Sequence, residues 1–253
     1  MPSGLSGYAT NPVVALRQAT QAAQEARDLA RISREPDLAR SMAVFRAAVD
    51  KAPDIRTALR DPRVLAVLGT ALGLPEAASQ TGLATRVLLA DTNDKRSLPY
   101  RLSDTRWLAM AKTLNLAKNG IDGLRDPKLQ ETLLNGLKNS RRMEQLDAQN
   151  AGLGNALAFI QKASQAKNSI DVLGDTILRR VVTGALNLPL EIAVQSVSAQ
   201  ARAVDTRFDI AKLQNPREVQ KLAERYLMNL ALNNTGFGPN GGNFRLGAFR
   251  INV

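Results

Sequence analysis

Two pairs of carboxylates lie close enough together to share a chemical task. Asp91 and Asp94 sit in "ADTNDK", and Asp205 and Asp209 in "VDTRFD"; two carboxyl groups in one site can divide acid and base duties or hold a divalent cation. The spacing argues against both uses. "DTNDK" lacks the regular ligand positions and the central Gly of a calcium loop, so helix-end caps and loop charges are the better expectation. The 253-residue chain contains neither His nor Cys, which removes the commonest general base, the triad imidazole, thiolate metal sites and disulfides together. The Gly-rich stretch around Gly241 and Gly242 lacks the Lys-Ser or Lys-Thr and the following helix of a phosphate loop. The expectation is a protein that is not an enzyme, with no catalytic, cofactor-binding or metal-binding residues.

Charge points instead to partners. Lys and Arg number 34 against 23 Asp and Glu, a net charge of +11, which favours acidic partners such as nucleic acid, an anionic membrane or an acidic protein. The densest basic clusters, "KNSRR" at Lys138 to Arg142 and "LRR" at Leu178 to Arg180, are short. Aromatic residues make up only 4%, too few for the stacking platforms of single-strand readers, and no recognition-helix module is evident. A cytoplasmic basic nucleic-acid-binding protein is therefore the second reading. The start, "MPSGLSGYATNPVVALRQ", is small, polar and broken by Pro2 and Pro12, unlike a cleaved secretory leader. With no window near eighteen uninterrupted apolar residues, no transmembrane segment is expected.

The elements that would carry such functions are helices. Helical spacing recurs from about Val13 to Leu232, so the expected class is all-α. Asp61-Pro62, Asp126-Pro127 and Asn215-Pro216 each set a capping oxygen before a proline suited to the first helical position, and Glu218 stands at the capping-box distance from Asn215. The N-terminal helix, Pro12 to Arg34, places Leu16, Ala19, Ala23, Ala26 and Ala30 at alternating steps of three and four, a coiled-coil-like seam. It suits docking to a protein partner or to another copy, or lying on its own domain as an arm. Leu38, Met42, Phe45 and Val49 share a face, as do Trp107, Leu108, Ala111 and Leu114, where the single Trp is expected in the core.

"RDPRVLAVLGTALGLP" (Arg60 to Pro75) and "GDTILRRVVTGALNLP" (Gly174 to Pro189) repeat at an offset of 114 residues. Asp91-Thr92 falls on Asp205-Thr206 at the same offset, and "RLSDTR" falls on "KLQNPR" after a three-residue gap. Between the repeats, from Asp126 to Ala166, runs a polar-rich helical region that Gly136, Gly152 and Gly154 divide or bend. Leu129, Leu133, Leu137, Met143 and Leu146 are expected to face one unit, and Leu153, Leu157 and Ile160 the other. The expected organisation is an N-terminal extension and helix (1–34), a first helical unit (35–125), a long central bridging helix region (126–167), a second unit (168–232) and a Gly/Asn/Phe-rich tail (233–253) that is irregular or forms a short strand. Phe237, Phe244, Leu246, Phe249 and Ile251 in that tail join the N-terminal seam as candidate partner-binding residues, by strand addition and helix-in-groove docking respectively.

The pattern Asp-Pro-x-Val-Leu followed by Ala-Leu-Gly-Leu (Asp61 to Leu74), then "RLSDTRW" (Arg101 to Trp107) and "AQNAGLGNALAFIQKA" (Ala148 to Ala163), resembles the bacterial family known as domain of unknown function 1217, with its motif region in tandem. The resemblance implies an all-helical protein, often encoded among flagellar genes, that brings no catalytic residue. The expected function is that of a non-enzymatic interaction protein, a structural or assembly-associated component of the flagellar system. It would reside in the bacterial cytoplasm or pass through the flagellar export apparatus without a cleaved signal.

Overall fold

The structure is a computed structural model that describes residues 11–234, and among these every regular element is a helix. The first half contains α1 (Pro12–Ala19), α2 (Ala22–Ile32), α3 (Pro36–Lys51), α4 (Ile55–Arg60), α5 (Pro62–Ala71), α6 (Thr81–Leu88), α7 (Leu98–Arg101), α8 (Thr105–Leu114) and α9 (Leu116–Arg125). The long α10 (Pro127–Gln149) leads into α11 (Leu153–Lys162), α12 (Ser169–Gly174), α13 (Thr176–Ala185), α14 (Val197–Asp205) and α15 (Pro216–Asn234). The all-α expectation holds.

Helix starts follow local chemistry. Asp54 caps α4 by accepting from the Thr57 amide at 2.8 Å, and Asn168, 114 positions later, caps α12 from the Asp171 amide at 2.9 Å. Asp61 receives the Arg63 amide at the start of α5, and Asp175 receives the Ile177 and Leu178 amides at the start of α13. Helix ends match as well. Gly73 (φ 77°) and Asn187 (φ 50°) both take the left-handed conformation that closes a helix. The next amides turn back in the same way, Leu74 to the Gly69 carbonyl at 2.7 Å and Leu188 to the Thr183 carbonyl at 2.9 Å. In each case the leucine then buries itself in a core.

The described residues form two such cores. The first gathers Ile32, Phe45, Leu59, Leu65, Leu68, Trp107 and Met110 with Leu133 and Leu137; the second gathers Phe159, Val181, Val182, Leu222 and Tyr226 with Leu146. Phe45 and Phe159, both fully buried, again lie 114 positions apart. α10 feeds both cores, which corrects the expectation that Leu129 to Leu146 would face one unit. Leu129, Leu133 and Leu137 serve the first core, whereas Met143 and Leu146 serve the second along with Leu153, Leu157 and Ile160. Gly136 lets α10 press against the end of α5, where a Cβ would overlap the Ala71 carbonyl.

The N-terminal helix is also corrected. It is two helices, broken at Thr20 and Gln21, and α1 crosses to the second core, where Ala15, Leu16 and Ala19 are buried against α11 and α15. The expected continuous seam is split: Leu16 and Ala19 are inside, while Ala23, Ala26 and Ala30 are exposed on α2. α2 instead turns Asp28 and Ile32 inward.

Candidate functional site

Where α2 crosses α10, Arg142 is fully buried between the two halves. Its Nε donates to Asp28 Oδ2 at 3.0 Å, its Nη1 to Glu25 Oε1 at 3.3 Å and its Nη2 to the Ala19 carbonyl at 2.7 Å, the last residue of α1. Arg141 donates to Glu35 at 3.0 Å, and Arg31 to the Gln145 side chain. Two of these pairs, Arg142 with Asp28 and Arg31 with Gln145, join residues 114 positions apart. The basic run at Lys138 to Arg142 is thus partly consumed in holding the molecule together. Arg141 and the Gln145 amide keep the Glu35 carboxyl below the usual carboxylate range despite its partial burial.

Beside this junction a cleft of about 540 Å³ opens between the end of α5, the middle of α10, α11 and the start of α13. Its volume falls within the range of small-ligand and peptide sites. Charged side chains line it, among them Arg180, which donates to the Asn155 side chain at 3.2 Å. Arg106, on α8, donates to Asp104, Glu76 and the Gly73 carbonyl; burial disfavours its charged form, but the two carboxylates win and raise its pKa. Lys162 pairs with Asp175 at 2.8 Å, and there the ammonium and the cap amides overcome burial and hold the carboxyl below its ordinary value. Asp147 accepts from the Gly154 amide at 2.8 Å, yet burial dominates and raises its pKa. Thr70, Asn139, Ser140, Gln161 and Thr176 also line the cleft, and among the described residues their side chains have no hydrogen-bond partner. The cleft thus presents hydroxyl and amide side chains beside the Asp147 carboxyl and the paired charges.

The second unit also exposes large apolar side chains. Val194 is 89% exposed at the end of a 3-10 turn, Val197 is 51% exposed at the start of α14, and Ile170 is 51% exposed on α12, which packs against α14. Their counterparts 114 positions earlier are Gln80, Leu83 and Arg56. Sequence reasoning missed this group because single apolar residues at helical spacing read as core; only comparing the two halves position by position would have flagged it.

The carboxylate pairs serve as caps and ties. Asp91 accepts from the Asn93 amide, Asp94 from the Arg96 amide, Asp209 from the Ala211 amide, and Asp205 from the Ser169 hydroxyl. Among the described residues no cluster of metal-ligating side chains occurs, and no helix is long and apolar enough to cross a membrane. Of the candidate partner-binding residues, Leu16 and Ala19 are buried in the chain's own core and Ala23, Ala26 and Ala30 face solvent. Phe237, Phe244, Leu246, Phe249 and Ile251, with the strand expected there, lie outside the described residues.

No curated protein matches the chain. A crystal structure of protein AGR_C_984 from Agrobacterium tumefaciens is similar over 92% of this chain and 99% of its own, with a TM-score of 0.74 and 26% identity. The family described as "Protein of unknown function (DUF1217)" matches residues 71–219, from the end of α5 into α15. That span covers more than half of the sequence and includes the central helix and most of the second core, and the chain belongs to the DUF1217 family.

Proposed function

We propose that this is a non-enzymatic helical interaction protein, built from two related units in tandem, that serves the structure or assembly of the bacterial flagellum. The observation that carries the interaction reading is the exposure of the large apolar side chains Ile170, Val194 and Val197, all in the second unit. Val194 and Val197 lie three positions apart where the 3-10 turn leads into α14, and the counterparts of Val194 and Ile170 in the first unit are polar. The tandem reading draws on the shared caps at Asp54 and Asn168, the shared ends at Gly73 and Asn187, and the contacts between residues 114 apart, as expected where two like units meet about a twofold axis. The flagellar reading rests on the gene setting that the family resemblance implies.

The test is a clean in-frame deletion strain scored for swimming in soft agar and for filaments by electron microscopy, complemented with the wild type and with Ile170→Asp/Val194→Asp. Wild-type rescue with failure of the folded double variant supports the reading. Normal swimming of the deletion strain overturns the flagellar assignment, and full rescue by the double variant overturns the proposed contact surface.

A further inference from the structure

α1 is tied to the rest of the chain by a hinge with a single non-helical residue. Thr20 already has helical angles (φ −82°, ψ −7°), and only Gln21 is extended (φ −74°, ψ 126°). Rotating ψ of Gln21 to the helical value of about −42° would make one helix from Pro12 to Ile32. α10, which also starts on an Asx-Pro cap, already runs unbroken for 23 residues. The hinge contains neither Gly nor Pro, and Thr20, Gln21 and Ala22 are exposed, so at the hinge itself no packing opposes the rotation.

Straightening would withdraw Ala15, Leu16 and Ala19 from the second core and align Leu16, Ala19, Ala23, Ala26 and Ala30 on one stripe. The vacated groove between α11 and α15 is shaped for α1 and carries Glu224, which receives Arg17 at 2.8 Å. We propose that α1 is an exchangeable arm, and that in a second copy of this chain it fills the same groove, giving a symmetric arm-exchanged dimer. Every contact of α1 with the groove is then kept, now between chains. The bond from Arg142 to the Ala19 carbonyl latches the closed form, because in a straight helix that carbonyl accepts from the amide four residues on. This inference does not depend on the flagellar reading.

The chain has no Cys, so introduced thiols report on one contact. Arg17→Cys/Glu224→Cys protein treated with a short bis-maleimide should yield covalent dimers on a denaturing gel from the dimer fraction and intramolecular links from the monomer fraction. Two hinge variants bias the equilibrium in opposite directions. Ala22→Pro suits the broken form, since proline fits the first position of α2 after an extended residue but breaks a continuous helix, and it should be monomeric. Thr20→Ala/Gln21→Ala favours the continuous helix and should strengthen dimerisation about tenfold or more. Light scattering that finds the alanine variant monomeric at all concentrations overturns the proposal. So does a dimer that persists in Ala22→Pro, or one whose cross-links are all intramolecular.

Discussion

Removing Arg142 should loosen the junction between the two halves more than any change at a surface ion pair. The guanidinium is fully buried and Asp28, its closest carboxylate, is only 3% exposed, so Arg142→Ala leaves an anion inside the protein along with a cavity. Breaking one partner of a buried pair costs about 3–5 kcal/mol. At about 2–4 °C per kcal/mol for a chain of this size, Tm should fall by roughly 10 °C. Replacing both partners with apolar residues of similar volume, Arg142→Met with Asp28→Leu, removes the uncompensated charge and should restore most of the loss. Thermal and urea unfolding of the wild type, both single variants and the double variant complete a cycle whose coupling should exceed about 2 kcal/mol. A shift below about 2 °C for Arg142→Ala, or a double variant no better than Arg142→Ala, would refute the reasoning.

Other changes test the remaining joints. Gly136→Ala puts a methyl group into the Ala71 carbonyl and should cost about 1–3 kcal/mol in urea unfolding, as overpacking does. Gly73→Ala and Asn187→Ala should each cost about 1–2 kcal/mol through the left-handed backbone alone, while Asn187→Gly should be near neutral. Because the Asp175 pKa is lowered on folding, its contribution is fully present above the unfolded carboxyl pKa and is lost as pH falls through the lowered value. The urea midpoints of wild type and Asp175→Asn should therefore converge in acid. Asp147, with a raised pKa, has the opposite sign: its ionised form penalises folding above that pKa, so Asp147→Asn should remove a loss of stability that the wild type shows as pH rises through the window.

What could be read from the sequence was what is local. Asp61, Asp126 and Asn215 before their prolines announced helix starts because a cap needs only the next three amides. What escaped was set by contacts between distant segments. Arg142 read as one charge in a short basic cluster, and only its meeting with Asp28 across 114 residues makes it a buried tie between α2 and α10. The seam from Leu16 to Ala30 was correctly spaced, but four of its five residues are alanines with little apolar area to bury, so the deeper groove of the second core claims Leu16 and Ala19 at the cost of one extended residue, Gln21.

That groove exists because the second core lacks a leading helix of its own. The first half of α10, which would be that helix by position, spends Leu133 and Leu137 on the first core, and the chain fills the gap with its first helix, about 200 positions away from Leu222. Closing so long a loop is entropically costly until both cores exist, so α1 should dock after the rate-limiting step of folding. Leu16→Ala, which empties a fully buried site, should cost about 2–5 kcal/mol, and nearly all of that loss should appear as faster unfolding with refolding almost unchanged. Stopped-flow refolding and unfolding in urea separates the two limbs. A refolding rate slowed in proportion to the lost stability would mean that α1 is already in place when the second core forms.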